Sequence, residues 1–216
     1  MFAIRHGETA WSRSGQHTGT TDIPLTDNGR LRAKRMRPVL AAEAFALVLC
    51  SPMQRARETC ELAGLGDKAV IDPDLVEWNY GEYEGLTPKQ IAEKAPGWLI
   101  FRDGCPGGEA PEHVGARVDR VIARSRAVDG DTVLFAHGHV LRVFVALDRA
   151  ASGRRSTLSA EYGHPVYAGL LPQNTGCRDL ERTSSRPDRS EGGSALRSLS
   201  NRRAIHAAAR EQARQS

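Results

Sequence analysis

The 216-residue sequence predicts an α/β fold, a three-layer sandwich in which helices flank a mostly parallel central sheet. Short runs of consecutive apolar residues are typical of strands that are buried on both faces, as parallel strands are. Segments with helical patterns follow these runs, so strand and helix alternate along the chain. Two of the apolar runs end in a His-Gly pair, at His6 and at His137. Since parallel strands present their carboxyl ends at one edge of the sheet, we expect these two histidines to meet there.

The beginning of the chain predicts a buried strand over 1–5 and a polar loop over 15–24. A helix is expected next, over 25–43. Thr26 or Asp27 can cap this helix, because a side-chain oxygen at that position accepts a free N–H group of the first turn.

Pro38 is expected to kink or interrupt this helix, because proline lacks the N–H of the helical hydrogen bond. The later elements follow from apolar runs and helical patterns. They are, in order, a buried strand over 44–50, a helix over 52–63, a short edge strand over 70–71, helices over 87–95 and 109–128, a buried strand over 133–136 and a helix over 140–147.

Composition and charge exclude several classes of protein. A hydrophobic content of 40% is enough for a core, and no apolar run approaches the length of a membrane span. Residues 1–5 lead straight into the first motif and leave no room for a signal peptide, so we expect a cytoplasmic location. The net charge of +4 arises in the last third, where residues 148–216 contain 12 arginines, no lysine and 7 acidic residues. Residues 1–147, with 18 basic and 19 acidic side chains, are nearly neutral.

The character of the sequence changes near residue 148. We therefore predict a folded domain over 1–149 and an Arg- and Ser-rich tail over 150–216. The tail lacks Phe and Trp and has no sustained apolar periodicity, so it cannot bury enough surface to offset the entropy of ordering. We expect it to be largely disordered, apart from a short helix over 204–212.

The four cysteines do not suggest a metal site or a disulfide framework. They form no Cys-x-x-Cys pair, and no histidine lies at zinc-site spacing from them. We also find no carboxylate cluster suited to magnesium. The sequence therefore predicts no metal and no cofactor.

The sequence Arg5-His6-Gly7 places a histidine beside an arginine at a predicted strand end. A neutral imidazole nitrogen can attack phosphorus and carry the phosphoryl group as an intermediate. The planar guanidinium of Arg5 offers donors for phosphate oxygens, and Gly7 allows a sharp turn. An isolated tripeptide of this kind is a weak signal, since most histidines are ordinary packed or surface side chains.

Three further elements strengthen the interpretation. Arg55 lies on the first turn of the helix after the second buried strand, where anions are favoured. Glu77 stands in a loop rich in aromatic residues and glycine, where a raised pKa would suit a general acid. His137, expected to be protonated when phosphate is bound, could stabilise charge on the transferring oxygens. Arg142 could reach the same site from the following helix.

With these motifs in this order, the chain resembles the histidine phosphatase superfamily, the phosphoglycerate-mutase-like proteins, over about residues 1–147. The resemblance implies a phosphohistidine at His6 and a proton donor at Glu77. It implies a phosphate pocket formed by Arg5, Arg55 and His137 together with His6. The expected activity is hydrolysis of small phosphorylated metabolites such as sugar phosphates.

The stretch 9–26 is similar to that of sedoheptulose-1,7-bisphosphatase-like sugar-phosphate phosphatases. These proteins carry a related Trp-Ser…Ser-Gly-Gln-His-Thr stretch, a tyrosine three residues after the acid and an arginine five residues after the second histidine. By this resemblance, the substrate pocket is lined by Ser12, Gln16, Thr18, Tyr80 and Arg142.

Two alternatives stay open. A phosphoglycerate-type mutase must shield its phosphohistidine from water, and family mutases use longer insertions between the acid and the second histidine; here Glu77 and His137 are only 60 residues apart.

A non-catalytic phosphate-binding pseudoenzyme is the second alternative. The tail lacks the usual strand after the second histidine motif, which suggests a change of reading frame and an exposed sheet edge. Its arginines, offset by carboxylates, make a poor nucleic-acid platform. We thus expect a small-molecule partner, no nucleic acid and no membrane, and leave a homo-oligomer open.

Overall fold

The computed structural model describes residues 1–151 and contains a four-stranded sheet whose strands are all parallel. The strands are β1 (Phe2–Arg5), β2 (Phe45–Cys50), β3 (Ala69–Ile71) and β4 (Asp131–Ala136), in the order β1-β4-β2-β3. Arg5 pairs with Ala136 in register, so β1 and β4 end side by side. The predicted parallel sheet is confirmed, and the two His-Gly pairs meet at its edge.

Helices cover both faces of the sheet. They are α1 (Ala10–Ser14), α2 (Asp27–Leu40), α3 (Gln54–Leu62), α4 (Pro88–Lys94), α5 (Ile100–Asp103), α6 (Pro111–Arg126) and α7 (Gly138–Ala151). Short 3-10 helices occupy Gly66–Lys68, Pro73–Leu75 and Gly81–Tyr83.

Two apolar clusters, one on each face of the sheet, make the three layers. Alternate residues of β4 divide between them, as the period of two requires. Val133 and Phe135 pack in the cluster that includes Leu40 of α2 and Ala56 of α3. Leu134 packs in the other, whose members from α6 and α7 include Val114, Val118, Val121, Val140 and Phe144. The sandwich architecture is therefore confirmed.

Two details of α1 and α2 differ from the prediction. α2 continues through Pro38 and ends at Leu40 rather than near residue 43, so the expected interruption is wrong, and the alternative of a kink stays a prediction. Only the last turn is affected by the missing N–H, because two helical residues follow the proline. α1 was not expected: it is one short turn, stabilised by a capping box between Thr9 and Ser12.

Within residues 1–151, none of the helices combines the length and the apolar character needed to cross a membrane. The predicted tail, its short helix over 204–212 and the missing family strand lie outside the described residues.

Candidate active site

His6 lies directly after β1, and its imidazole is held in one tautomer. Its backbone N–H donates to the carbonyl of Ala136 at 2.9 Å. Its Nδ1 is 2.7 Å from the carbonyl oxygen of Gly7, which can only accept, so Nδ1 carries the proton. The N–H of Gly7 in turn donates to the Thr59 hydroxyl at 2.9 Å, which ties the turn to α3. The lone pair of His6 therefore lies on Nε2.

The electrostatic environment keeps His6 neutral. Burial lowers the pKa of His6 to about 3, and the positive charges of Arg5 and Arg55 act in the same direction. A neutral imidazole with its lone pair on Nε2 is the form that can act as a nucleophile.

His137 lies at the end of β4, fully buried, with its ring centroid 5.1 Å from that of His6. The Nε of Arg55 donates to Nδ1 of His137 at 3.1 Å, so the proton of the neutral ring is on Nε2, which is 2.8 Å from the Ser51 hydroxyl. Burial, reinforced by His6 and Arg55, holds the pKa of His137 well below its ordinary value. The expected imidazolium concerns the phosphate-bound state and stays a prediction.

Arg55 is on the first turn of α3, as predicted, and is completely buried. Its terminal nitrogens donate to the carbonyl oxygens of Thr18 (3.2 Å), Gly19 (2.9 Å) and Thr21 (3.0 Å). Burial lowers the pKa of its guanidinium. These bonds fix the polar loop over 15–24 against the sheet edge.

Arg5 differs from Arg55 in its hydrogen bonding. Its Nε is buried and has no hydrogen-bond partner among the described residues. A methyl group placed on Gly138 would lie 3.6 Å from the guanidinium carbon of Arg5 and 3.6 Å from Oε2 of Glu77. Arg5 and Glu77 therefore flank the first residue of α7. A buried donor without an acceptor is costly, and an anionic ligand is the group that would relieve that cost.

Glu77 is buried, and its carboxylate is bound by main-chain donors. It accepts the N–H groups of Trp78 (2.9 Å), His139 (3.0 Å) and Val140 (3.0 Å). The last two belong to the first turn of α7, where the helix dipole favours negative charge. Burial pushes the pKa of Glu77 upward, but the His139 side chain and the three N–H groups outweigh burial and hold it below its ordinary value. The expected raised pKa is thus wrong, because backbone N–H groups of the loop and of α7 bind the carboxylate.

The predicted substrate-binding residues have mixed positions. Tyr80 is buried, and its hydroxyl forms a 2.6 Å hydrogen bond with Nδ1 of His139. Thr18 contributes a carbonyl to Arg55, and its hydroxyl donates to the carbonyl of Gln16 at 3.3 Å. Tyr80 is thus connected to Glu77 through His139, and Thr18 is connected to His137 through Arg55.

Gln16, Ser12 and Arg142 complete that set. The side-chain amide of Gln16 donates to the carbonyl of Gly85 at 2.9 Å and so joins two loops. Ser12 is engaged in the cap of α1 with Thr9. Arg142 lies on α7, partly buried, and its pKa is lowered by burial and by the charge of Arg5.

Sequence reasoning missed several residues that shape the site. His139 donates its N–H to Glu77 and stacks its ring against His17, with centroids 5.8 Å apart. Its place in the His-Gly-His sequence was the available signal. Glu84 accepts the N–H groups of Gly19 and Thr21 and so holds the loop that binds Arg55. No sequence pattern indicated this contact, because the partners are more than 60 residues apart.

Comparison with known proteins identifies the family. The histidine phosphatase superfamily (branch 1) matches residues 1–155. The chain belongs to this superfamily. Among curated relatives, the acid phosphatase of Mycobacterium tuberculosis is 41% identical over 149 residues, which cover 67% of this chain and 73% of that protein. Sedoheptulose 1,7-bisphosphatase of Saccharomyces cerevisiae is 39% identical, and the match covers 67% of this chain and 65% of the yeast enzyme, less than two thirds of its length.

Solved structures of this superfamily show the same fold. One, from an open reading frame of Mycobacterium tuberculosis, has a TM-score of 0.64 at 38% identity and covers 70% of this chain and 83% of that chain. A mycobacterial glucosyl-3-phosphoglycerate phosphatase in complex with VO3 has a TM-score of 0.61 at 31% identity, over 68% and 80% of the two chains. Family membership and these relatives support phosphatase activity.

Proposed function

We propose that this histidine phosphatase hydrolyses phosphomonoesters of small metabolites, namely sugar phosphates, through a phosphohistidine on His6, with Glu77 as the proton donor. One observation carries the proposal: His6 is neutral, its lone pair is on Nε2, and it adjoins the buried Nε of Arg5, which has no partner within residues 1–151. This pairs a nucleophile with a donor suited to a phosphate oxygen. The name of the bacterial relative supports phosphatase activity, and that of the yeast relative supports sugar phosphates as the substrate class.

The proposed reaction has two steps. Nε2 of His6 attacks phosphorus, the bond from phosphorus to the ester oxygen breaks, and the leaving alkoxide takes a proton from Glu77. The Glu77 carboxylate then removes a proton from water, the resulting hydroxide attacks phosphorus, and the P–Nε2 bond breaks to release phosphate. Arg5, Arg55 and His137 stabilise charge on the phosphoryl oxygens. The approach of an anionic phosphate would raise the pKa of Glu77 and favour its protonation.

A phosphoglycerate-type mutase is the second candidate. A Gloeobacter violaceus 2,3-bisphosphoglycerate-dependent phosphoglycerate mutase is 31% identical over 184 residues, which cover 77% of this chain and 83% of that protein. The short separation of Glu77 and His137 favours hydrolysis, because it leaves little sequence for a cover that would exclude water.

The test is phosphate release by the full-length chain from a panel of sugar phosphates and glycolytic phosphates, with His6→Ala in parallel. We expect release that the substitution reduces by at least about 10³-fold, as is typical when a nucleophile is removed. Interconversion of phosphoglycerates without release would favour the mutase. A folded protein that binds phosphate but does neither would be a pseudoenzyme and would contradict the proposal.

A further inference from the structure

An ion pair between the buried Arg117 and the half-buried Glu109 contacts the segment that carries Glu77. Arg117 of α6 is only 6% exposed, and it binds the carboxylate of Glu109 through two nitrogens, at 3.0 and 3.1 Å. Burying a charge is costly even when it is paired, so an apolar side chain at position 117 would cover the core at least as well. What such a replacement could not provide is the set of hydrogen bonds that this pair makes with the main chain around Glu77.

Arg117 binds the main chain on the N-terminal side of the acid. Its guanidinium donates to the carbonyl oxygens of Asp74 (2.8 Å), Val76 (2.6 Å) and Glu77 itself (3.2 Å). We call residues 74–79 the acid loop. Three carbonyl groups of this loop thus converge on one rigid, planar cation.

Glu109 binds the C-terminal side of the same loop. Its Oε2 accepts the N–H of Asn79 at 2.8 Å, and its own carbonyl accepts Nε1 of Trp78 at 2.9 Å. Its backbone N–H donates to the carbonyl of Asn79 at 2.9 Å. Arg117 and Glu109 together therefore hold the main chain on both sides of Glu77.

We propose that Arg117, fixed by Glu109, is a positioning residue that sets the place of the Glu77 carboxyl relative to the scissile ester oxygen. The inference rests on the proposed role of Glu77 as proton donor. Proton transfer requires the acid to lie within hydrogen-bond reach of the leaving oxygen, and a displacement of about 1 Å can cost about 10²-fold in rate. A lysine at position 117 would keep the charge but could not reproduce the planar fork that binds Glu109 and several carbonyl groups at once.

The leaving group of the substrate separates positioning from general folding. An alkyl phosphate needs its leaving oxygen protonated, whereas p-nitrophenyl phosphate releases a stable phenolate that does not. A displaced acid should slow the alkyl ester selectively. A partly unfolded enzyme would lose both activities in equal proportion.

The experiment compares kcat/KM for glycerol phosphate and p-nitrophenyl phosphate in the full-length chain, with Glu77→Gln as the reference and Arg117→Lys and Glu109→Gln as the test variants. For Arg117→Lys we expect the alkyl activity to fall about 10-fold or more beyond the aryl activity, within the range of general acid catalysis. Glu109→Gln should shift the ratio in the same direction but less. Arg120→Gln is the matched control, because Arg120 is on the same helix, is exposed, and binds the side-chain carboxylate of Asp74 and not the main chain of the acid loop. The ratio in this variant should not change.

The outcomes distinguish the two proposals. If Glu77→Gln slows the alkyl ester selectively while Arg117→Lys and Glu109→Gln lower both activities equally, the positioning role is wrong and the proton donor stands. If Glu77→Gln shows no selectivity, the proton-donor role itself fails. Should Arg117→Lys not fold, the ratio in Glu109→Gln decides the inference.

Discussion

The two halves of the site are held in place by different means. The strand-end half, with His6 and His137, is positioned by the sheet, since β1 and β4 end in register. The imidazole of His6 is fixed by the carbonyl of Gly7 in the turn after β1, and that of His137 by Arg55 of α3 and by Ser51 after β2. In the acid-loop half, Glu77 does not directly follow a strand, because the 3-10 helix Pro73–Leu75 lies between β3 and this residue. Its main chain is fixed by the side chain of Arg117 on α6, and the carboxylate of Glu77 is fixed by N–H groups of α7.

This difference separates the chemistry of the two halves. Before a ligand binds, the strand-end half holds a neutral nucleophile and a buried Nε of Arg5 that has no partner among the described residues, at a cost to stability. The acid-loop half keeps Glu77 ionised through backbone N–H donors. We therefore expect changes in the first half to affect all substrates, and changes in the second half to depend on the leaving group and on pH.

The largest effect on activity is expected for Glu77→Gln. It should lower kcat/KM for alkyl phosphates by about 10²- to 10⁴-fold, because the leaving oxygen loses its proton donor. The pKa of Glu77 lies below its ordinary value, so the protonated acid becomes scarcer as pH rises. The wild-type kcat/KM should therefore increase from about pH 8 to about pH 5 in a pH-rate profile, and the variant should lose this dependence.

His6 sets the lower limit of that profile. Its pKa of about 3 leaves the nucleophile neutral over the whole range. A profile for alkyl phosphates that falls toward acid in the wild type, or one that Glu77→Gln leaves unchanged, would contradict the assignment of the acid.

The next effect contrasts Arg55 with Arg5. Arg55→Met should lower the free energy of unfolding by about 3 kcal/mol, because the carbonyl groups of the polar loop and the ring of His137 lose a buried donor. Arg5→Met should leave stability unchanged or raise it, because the Nε it removes has no partner in the described part of the chain. Urea unfolding measures both changes.

Activity should respond in the opposite sense to stability for Arg5→Met. Loss of a donor to the transferring phosphoryl group is expected to reduce kcat/KM by about 10²-fold on alkyl and aryl esters alike. An Arg5→Met protein that is less stable yet fully active would show that Arg5 is a structural residue.

The smallest effect concerns the pH dependence of stability. The unfolded pKa of a histidine is about 6.5, and burial lowers that of His6 to about 3, so the native state favours the neutral ring. The native state therefore keeps its full stability above the unfolded pKa of about 6.5 and loses stability as pH falls below that pKa. His6→Gln should remove about 1–2 kcal/mol of the destabilisation between about pH 7 and about pH 5. Urea unfolding at both pH values checks this, and identical losses in wild type and variant would refute it.

The strand-end half could be predicted from the sequence because local patterns encode it. The apolar runs before His6 and His137, and the helix start at Arg55, fix those side chains at one sheet edge. The state of Glu77 could not be predicted in this way. Its pKa depends on N–H groups 62 and 63 residues away, and its loop depends on Arg117, 40 residues away. Such contacts leave no periodic signature in the chain.

The most direct test of the account is to trap the phosphoenzyme. Glu77→Gln would be mixed with p-nitrophenyl phosphate and quenched in alkali, where a phosphohistidine survives, and the peptides would be mapped by mass spectrometry. We expect a burst of p-nitrophenol equal to the enzyme concentration and one phosphoryl group on Nε2 of His6. Turnover with no phosphorylated His6, or with the phosphoryl group on another residue, would contradict the central claim.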